Sequence, residues 1–474
     1  MKIKRKIIVL SMIVVSGHVL ANGDIDKVVD GFDKVDKKNI KEPIIKKKLK
    51  HFHEPFCVCN KSPLFTEHKY DGRVHGFARI HHVFSGENNG FDKNTGSTFG
   101  FELKYDTHLK DKLYGGVEYY GVTDTGLTNE DKNIAYGQFM SKNKNSNQKF
   151  GGAFGAHLAY IKDDFKATIA RSQFDSPLTK MQITHAPNLF EYARIDAKIS
   201  DFDLSFAYIT QIAYGSRSAA DFGLIGEKTG TAGMVVNPFK DIERGKYYRI
   251  SDVVGNNNVD GVAVIGAKKT FDKFRMEAWD FHVNDTLNNI YIEMEYPFYE
   301  KKGYAAGLHT QYLNQSIDDR YDEKYGGSLY GLKLSTKIKK LKVNFSYNHK
   351  DDEGGFLNPS GANPGYTSSI FSRNEYRSGV DAIKISAMYP LAKKLKVIAT
   401  YADYGKSNMT LNRGKDKPAF AAQTDAKETN IVLVYKPMKN LTLKLFNAHR
   451  ISEFDTAAKE KTQNHTRLIA NYAF

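Results

Sequence analysis

From residue 73 onward the sequence breaks into segments of about ten residues in which apolar and polar side chains alternate with a period of two. Across Asn289 to Phe298, Ile290, Ile292, Met294, Tyr296 and Phe298 share one face while Tyr291, Glu293 and Glu295 share the other. Leu341 to His349 sets Leu341, Val343, Phe345 and Tyr347 against Lys342, Asn344, Ser346 and Asn348. Leu441 to Asn447 repeats this, with Leu441, Leu443 and Leu445 against Thr442 and Lys444. One face suits hydrocarbon and the other water. A sheet with such faces crosses a membrane only when it closes on itself, because an open edge would leave backbone amides without partners in lipid. The expected fold is therefore all-β, a transmembrane antiparallel β-barrel.

Strands are expected near 73–83, 97–107, 113–122, 150–160, 165–173, 189–199, 202–210, 260–269 and 274–283, then 289–298, 303–313, 327–337, 341–349, 379–389, 395–404, 428–436, 441–450 and 465–474. That makes eighteen, an even number as bacterial barrels have. The segment 260–269 shows the weakest contrast between its faces. Short links such as Lys110-Asp111-Lys112, Lys162-Asp163-Asp164 and Phe271-Asp272-Lys273 alternate with long ones, notably 211–259 and 350–378. This rhythm is that of short periplasmic turns and long extracellular loops, and it leaves both ends of the barrel in the periplasm.

Ahead of the strands, Lys2, Lys4, Arg5 and Lys6, the apolar run Ile7 to Val15 and the small-residue site Val19-Leu20-Ala21 have the layout of a signal peptide over residues 1–21. No later run approaches the roughly 20 apolar residues of a membrane helix, and mean hydropathy is −0.50. The formal charge of +15 falls to +11 once the four basic residues of the leader are removed. Nucleic acid is the usual partner of such a balance, but an exported chain rarely meets it, so none is expected. Attraction to anionic solutes or to lipopolysaccharide is the expected reading, together with outer-membrane lipid as solvent. Residues 22–72 form a periplasmic N-terminal extension that has little apolar surface to bury around Lys46-Lys47-Lys48, and 73–474 form the barrel.

Within the extension, His51, His53, Cys57 and Cys59 make an H-x-H-x3-C-x-C cluster. Imidazole and thiolate suit zinc or copper, yet the spacing matches no standard zinc finger, and a disulfide or intermolecular pairing is the competing fate of the thiols. No metal site or other cofactor is expected. Neither a nucleophile elbow of the G-x-S-x-G type nor a phosphate-cradling loop is present, so the chain reads as no enzyme.

The last segment, His465 to Phe474, ends on an aromatic with Leu468, Ala470 and Tyr472 on the same face. Tyr472 and Phe474 resemble the C-terminal signal by which barrel-assembly machinery recognises outer-membrane barrels, and they are expected to face lipid with Asn471 and Ala473 inward. Glu428 to Tyr435 followed by Leu441 to Ala448 resembles the penultimate hairpin of the OprD family of porins, and Arg467-Leu468-Ile469 with Tyr472 resembles its closing strand. Gly115 to Gly121 is similar to that family's third strand, and Asp175-Ser176-Pro177 to its first constricting loop. The basic composition and lysine-rich extension resemble the Hof outer-membrane proteins of Helicobacter.

The resemblance implies an eighteen-stranded monomeric barrel narrowed by inward-folded loops, with a column of basic side chains that guides carboxylate-bearing solutes. Lys384, Lys444 and Arg467 match positions where that family places basic wall residues, whereas Thr400 and Phe446 stand where it tends to have Arg. By alternation alone, Arg194 shares a polar face with Tyr192, Asp196 and Lys198, and Arg79 is a similar case. Arg79, Arg194, Lys384, Lys444 and Arg467 are thus the expected basic pore lining, and Glu293 and Glu295 the acidic lining. Passive diffusion of small polar solutes with a modest anionic preference is the expected function. A surface adhesin or structural barrel with a plugged lumen is the alternative, supported by loop length and aromatic content.

Overall fold

Alternating polarity along the strands becomes a closed wall in the computed structural model. It describes residues 71–85, 94–127, 150–180, 185–215, 245–254, 256–318, 326–356, 377–407, 423–454 and 461–474, with parts of 360–374 and 412–418. The wall strands are β1 (Asp71–Ser85), β2 (Asn94–Lys110), β3 (Leu113–Asp124), β4 (Phe150–Lys162), β5 (Phe165–Ser172), β6 (Leu189–Ile199), β7 (Phe202–Ala213), β8 (Val262–Phe271) and β9 (Phe274–Val283). They continue as β10 (Leu287–Lys301), β11 (Tyr304–Ile317), β12 (Gly327–Ile338), β13 (Leu341–Lys350), β14 (Val380–Ala392), β15 (Leu395–Tyr404), β16 (Gln423–Met438), β17 (Leu441–Phe454) and β18 (Lys461–Ala473).

Each strand pairs antiparallel with its neighbours in sequence, and β1 pairs with β18, from Phe77 opposite Ala473 to Ser85 opposite His465. Closure abolishes the sheet edge that lipid could not satisfy. Reciprocal backbone bonds between Gly76 and Phe474, both 3.0 Å, finish the seam. The fold is the eighteen-stranded antiparallel barrel expected from the alternation. Its outer surface carries exposed apolar side chains such as Ile80, Leu103, Phe154, Ile169, Phe206, Leu332, Ile385 and Leu445, as a wall bathed in hydrocarbon requires. Tyr472 and Phe474 lie on this outward face.

Two-residue turns join the strands at one rim, and three of them place Asp111, Asp163 and Asp272 at φ near +50°, a conformation Asp tolerates through local hydrogen bonding. At the other rim the links are long, apart from Asn284-Asp285-Thr286 between β9 and β10. A short helix α1 (Ile250–Val254) sits in the longest of them.

The lumen is not evenly filled. Phe174 and Leu178 from the β5–β6 loop, Ile250, Val253 and Val254 from α1, and Phe356 from the β13–β14 loop pack against inward residues of β6 to β12 such as Phe190, Val264, Trp279, Phe281 and Leu313. This apolar cluster leaves a cavity of about 70 Å³. It accounts for the weak contrast of 260–269. The inward side chains Val262 and Val264 of β8 meet apolar neighbours instead of water, so that strand is apolar on both faces.

Candidate pore constriction

Inward register positions on β17, β18 and β1 set cations at levels 463, 467, 469 and 471 of the wall, with His465 at the level between the first two. Arg450 stands opposite Gln463, Arg467 opposite Phe446 and Val83, Lys444 opposite Ile469, and Arg79 opposite Asn471. The levels 467, 469 and 471 are two residues apart, about 7 Å per step along a strand. Arg467 and Arg79 are half-buried, while Lys444 and Arg450 are buried. Arg79 donates from Nε to Asn471 Oδ1 at 2.9 Å and lies 4.6 Å from the centre of the Phe77 ring. Arg467 lies 5.0 Å from the centre of the Phe446 ring, so an aromatic stands under a guanidinium at one of the two positions where the OprD resemblance would lead to Arg.

Lys384 belongs to a different assembly. The described residues of the link between β13 and β14, 351–356, 360, 362, 364–370, 372, 374 and 377–379, turn into the barrel and hang from inward wall side chains. Lys384 Nζ donates to Ser368 O at 2.6 Å, and Gln311 both donates to Pro364 O at 2.9 Å and accepts from Tyr366 N at 2.8 Å. Asn348 Oδ1 accepts from Thr367 N at 2.8 Å, and the Tyr366 hydroxyl donates to Glu293 Oε1 at 2.8 Å. Glu428 accepts from the amides of Ile370 and Ser372, both 2.9 Å, while the Tyr404 hydroxyl donates to Thr367 O and Ser372 O. Arg377 of the same loop lies over the Tyr404 ring, and burial pulls its guanidinium down to about 10.

The remaining expected lining residues sit in local ion networks. Arg194 donates from Nε to Asp196 Oδ1 at 2.8 Å and stands over the Phe174 ring at 4.9 Å, against the edge of the apolar cluster. Glu295 is 3.4 Å from both Arg275 Nη1 and His309 Nδ1. Glu293, Glu295 and His309 have ligand atoms within 4.8 Å of one another, the one group among the described residues that could hold a metal ion. Arg275 bonds this group directly, and buried Lys333 lies 4.6 Å from the neighbouring Tyr366 ring. These two cations supply the positive charge that a metal would otherwise bring.

Arg275, Lys333, Arg450 and Glu428 are among the charged residues of these networks that the sequence did not single out. Arg275 and Lys333 were legible in principle, since Arg275 alternates with Met276 and Lys333 with Leu332 and Leu334. Arg450 ends an expected strand, and Glu428 begins another. His51, His53, Cys57 and Cys59, with the leader and most of the extension, lie outside the described residues.

A second link, between β5 and β6, also turns inward over its described residues 173–180 and 185–188, and His185 pins its far end. Its Nε2 is 2.7 Å from Thr98 Oγ1, and its ring meets that of His81 edge-on at 5.8 Å. Burial, then the charge of Arg79, hold the His185 imidazole well below its usual 6.5. The docked loop therefore keeps His185 neutral while the undocked loop binds a proton readily. Docking is at full strength above about pH 6.5 and weakens by about 1.4 kcal/mol per unit below it. Hydrogen exchange in residues 173–188 is expected to accelerate between pH 7.5 and pH 5, and His185→Gln should flatten that dependence. An unchanged slope in the variant would assign the effect to other groups.

No family model and no curated protein matches this sequence. Solved structures do match. The chain is similar to OccAB2 of Acinetobacter baumannii, with a TM-score of 0.63 and 16% identity over 85% of this chain and 98% of that one. It is also similar to OccK9 (OpdG) of Pseudomonas aeruginosa, with a TM-score of 0.65 and 14% identity over 85% and 99%. The fold is that of the OprD/Occ porins. A third match is OpdK of Pseudomonas aeruginosa solved with vanillate, with a TM-score of 0.62 and 12% identity over 85% and 98%. The barrel, with its apolar belt, belongs in the outer membrane.

Proposed function

We propose that this chain is a passive porin for small polar solutes, with a modest preference for anions and carboxylates. The observation that carries the reading is the stepped column of Arg467, Lys444 and Arg79 on β17, β18 and β1. On β2 and β3, and across the barrel on β8 and β9, carboxylates are matched locally by cations. Lys104 bridges Glu102 and Glu118 at 2.8 and 2.9 Å, and Glu277 takes Lys268 at 3.0 Å and Arg275 at 3.1 Å. At about 7 Å in water a unit charge is worth about 0.6 kcal/mol, close to thermal energy, so each cation favours an anion by about threefold. With a Debye length of about 8 Å at physiological salt, a solute feels mainly the nearest step and moves between steps without being trapped. OpdK, which shares the fold, was solved with vanillate, a carboxylate. No covalent step and no energy input enters this mechanism.

Lipid and lipopolysaccharide are the surroundings proposed for the wall, and barrel-assembly machinery the partner of outward Tyr472 and Phe474. The narrower resemblance to Hof proteins rests on the extension and on composition. Purified protein in a planar bilayer tests the function. A conducting channel whose reversal potential in a salt gradient has the anion-selective sign is expected. The variant Arg79→Gln, Lys444→Gln, Arg467→Gln should move that potential most of the way to zero. Absence of conductance would favour the adhesin or structural alternative, which the apolar infill of one half of the lumen supports. A conducting triple variant with unchanged selectivity would remove the column from the mechanism.

A further inference from the structure

The periplasmic rim of the barrel is electrically lopsided. Four successive turns each bring two lysines: Lys301 and Lys302 at the end of β10, Lys339 and Lys340 after β12, Lys393 and Lys394 after β14, and Lys436 and Lys439 around the end of β16. Because strands follow one another around the wall, these turns occupy one continuous arc. Lys436 is half-buried and the other seven are exposed. Glu300 is the acidic residue beside them. Within two residues of the four turns of the opposite arc, Lys110, Lys112, Lys162, Lys166, Lys198 and Lys273 are matched in number by Asp111, Asp163, Asp164, Asp201, Asp203 and Asp272.

The lysine arc is held in shape and set at a defined depth. Backbone bonds tie its turns together, from Lys339 N to Gly303 O at 2.6 Å and from Lys436 N to Lys394 O at 2.9 Å, and Lys394 Nζ reaches Pro437 O. One to three residues toward the membrane, the outward face carries exposed Phe298, Tyr299, Tyr304, Ile338, Leu391 and Met438. Aromatic and apolar side chains of this kind mark the edge of the hydrocarbon, and lysine stems beyond them extend into the headgroup layer.

We propose that this arc is a docking surface for anionic phospholipid headgroups of the periplasmic leaflet. Position decides for lipid over a soluble acidic partner, because the ammonium groups continue an apolar belt that is itself immersed in the bilayer. Phosphodiester oxygens accept hydrogen bonds from adjacent ammonium groups, and a net negative headgroup gains from every further lysine on the arc. The zwitterionic headgroup gains far less. The balanced opposite arc has no such preference, so bound anionic lipid gathers on one side of the barrel.

The test uses full-length barrel reconstituted in vesicles of equal parts phosphatidylethanolamine and phosphatidylglycerol, extracted gently, with retained lipids counted by native mass spectrometry. Retained phosphatidylglycerol should exceed phosphatidylethanolamine by at least about fivefold, the weight of one lysine engaged near an anionic surface. The arc variant Lys301→Gln, Lys302→Gln, Lys339→Gln, Lys340→Gln, Lys393→Gln, Lys394→Gln should return to the vesicle ratio, and its all-arginine counterpart should restore the enrichment. A smaller change, Lys339→Gln with Lys340→Gln, should lower it partially and serves if the larger variant does not assemble. The opposite-arc variant Lys110→Gln, Lys112→Gln, Lys162→Gln, Lys273→Gln should keep the wild-type ratio. Wild-type barrel without enrichment, or equal loss from both arcs, overturns the proposal.

Discussion

Glu428→Ala is expected to release the β13–β14 loop from the wall, raise single-channel conductance and lower stability by about 3 kcal/mol or more. The carboxylate is buried, and both its oxygens are engaged by backbone amides of the loop. Alanine leaves those two amides without their acceptor and removes an anion from beside Arg450, its cross-strand neighbour, which is itself buried. Both costs vanish if the loop swings away and lets water in, so opening is the relaxed outcome. Glu428→Gln keeps one acceptor and should fall between. Conductance and thermal melting that match wild type in the alanine variant would mean that Lys384, Gln311 and Asn348 hold the loop by themselves.

A comparable effect is expected from Gly100→Val at the other inward loop. Gly100 faces inward on β2 opposite Arg79, and a Cβ there would lie 2.0 Å from Nδ1 of His185 and 2.8 Å from its Cβ. The imidazole occupies the space that a side chain would fill. Valine should therefore expel His185, detach the end of loop 173–188 and cost about 2 kcal/mol, in the range of overpacked interiors. Hydrogen exchange of residues 173–188 should then be fast at neutral pH as well as in acid. Pairing the change with His185→Ala should recover most of the melting temperature, since the notch is filled once instead of twice. A single Gly100→Val variant with wild-type protection would show that the loop is docked by other contacts.

The wall was legible because lipid imposes one rule on every strand. An outward side chain must be apolar whatever the inward one does, so Ile290 to Phe298 and Leu341 to Tyr347 declare their faces and even the strand ends fall within a few residues. Inward residues carry no comparable rule. Val264 faces an apolar cluster, Lys384 a loop carbonyl and Arg467 an aromatic ring, and alternation alone reads all three as facing in. The loops that make those environments have no period. Nothing in the spacing of Ser368, Ile370 and Ser372 announces that they will hang from Lys384 and Glu428, more than ten residues further along the chain. Asp175-Ser176-Pro177 pointed to one constricting loop through resemblance, while the anchor of that loop, His185, gave no sign of its notch opposite Gly100.

The uneven filling of the lumen separates two quantities that an empty cylinder would tie together. In a hollow barrel the number of strands fixes the circumference and with it the bore. Here Phe174, Phe281, Phe356 and their neighbours occupy one flank, so any open water column is pushed off the axis toward the strands that carry the cations. The bore is then set by what the two loops and α1 deposit inside. Its size and chemistry can be retuned by exchanging those segments alone, without adding a strand or disturbing a single wall register.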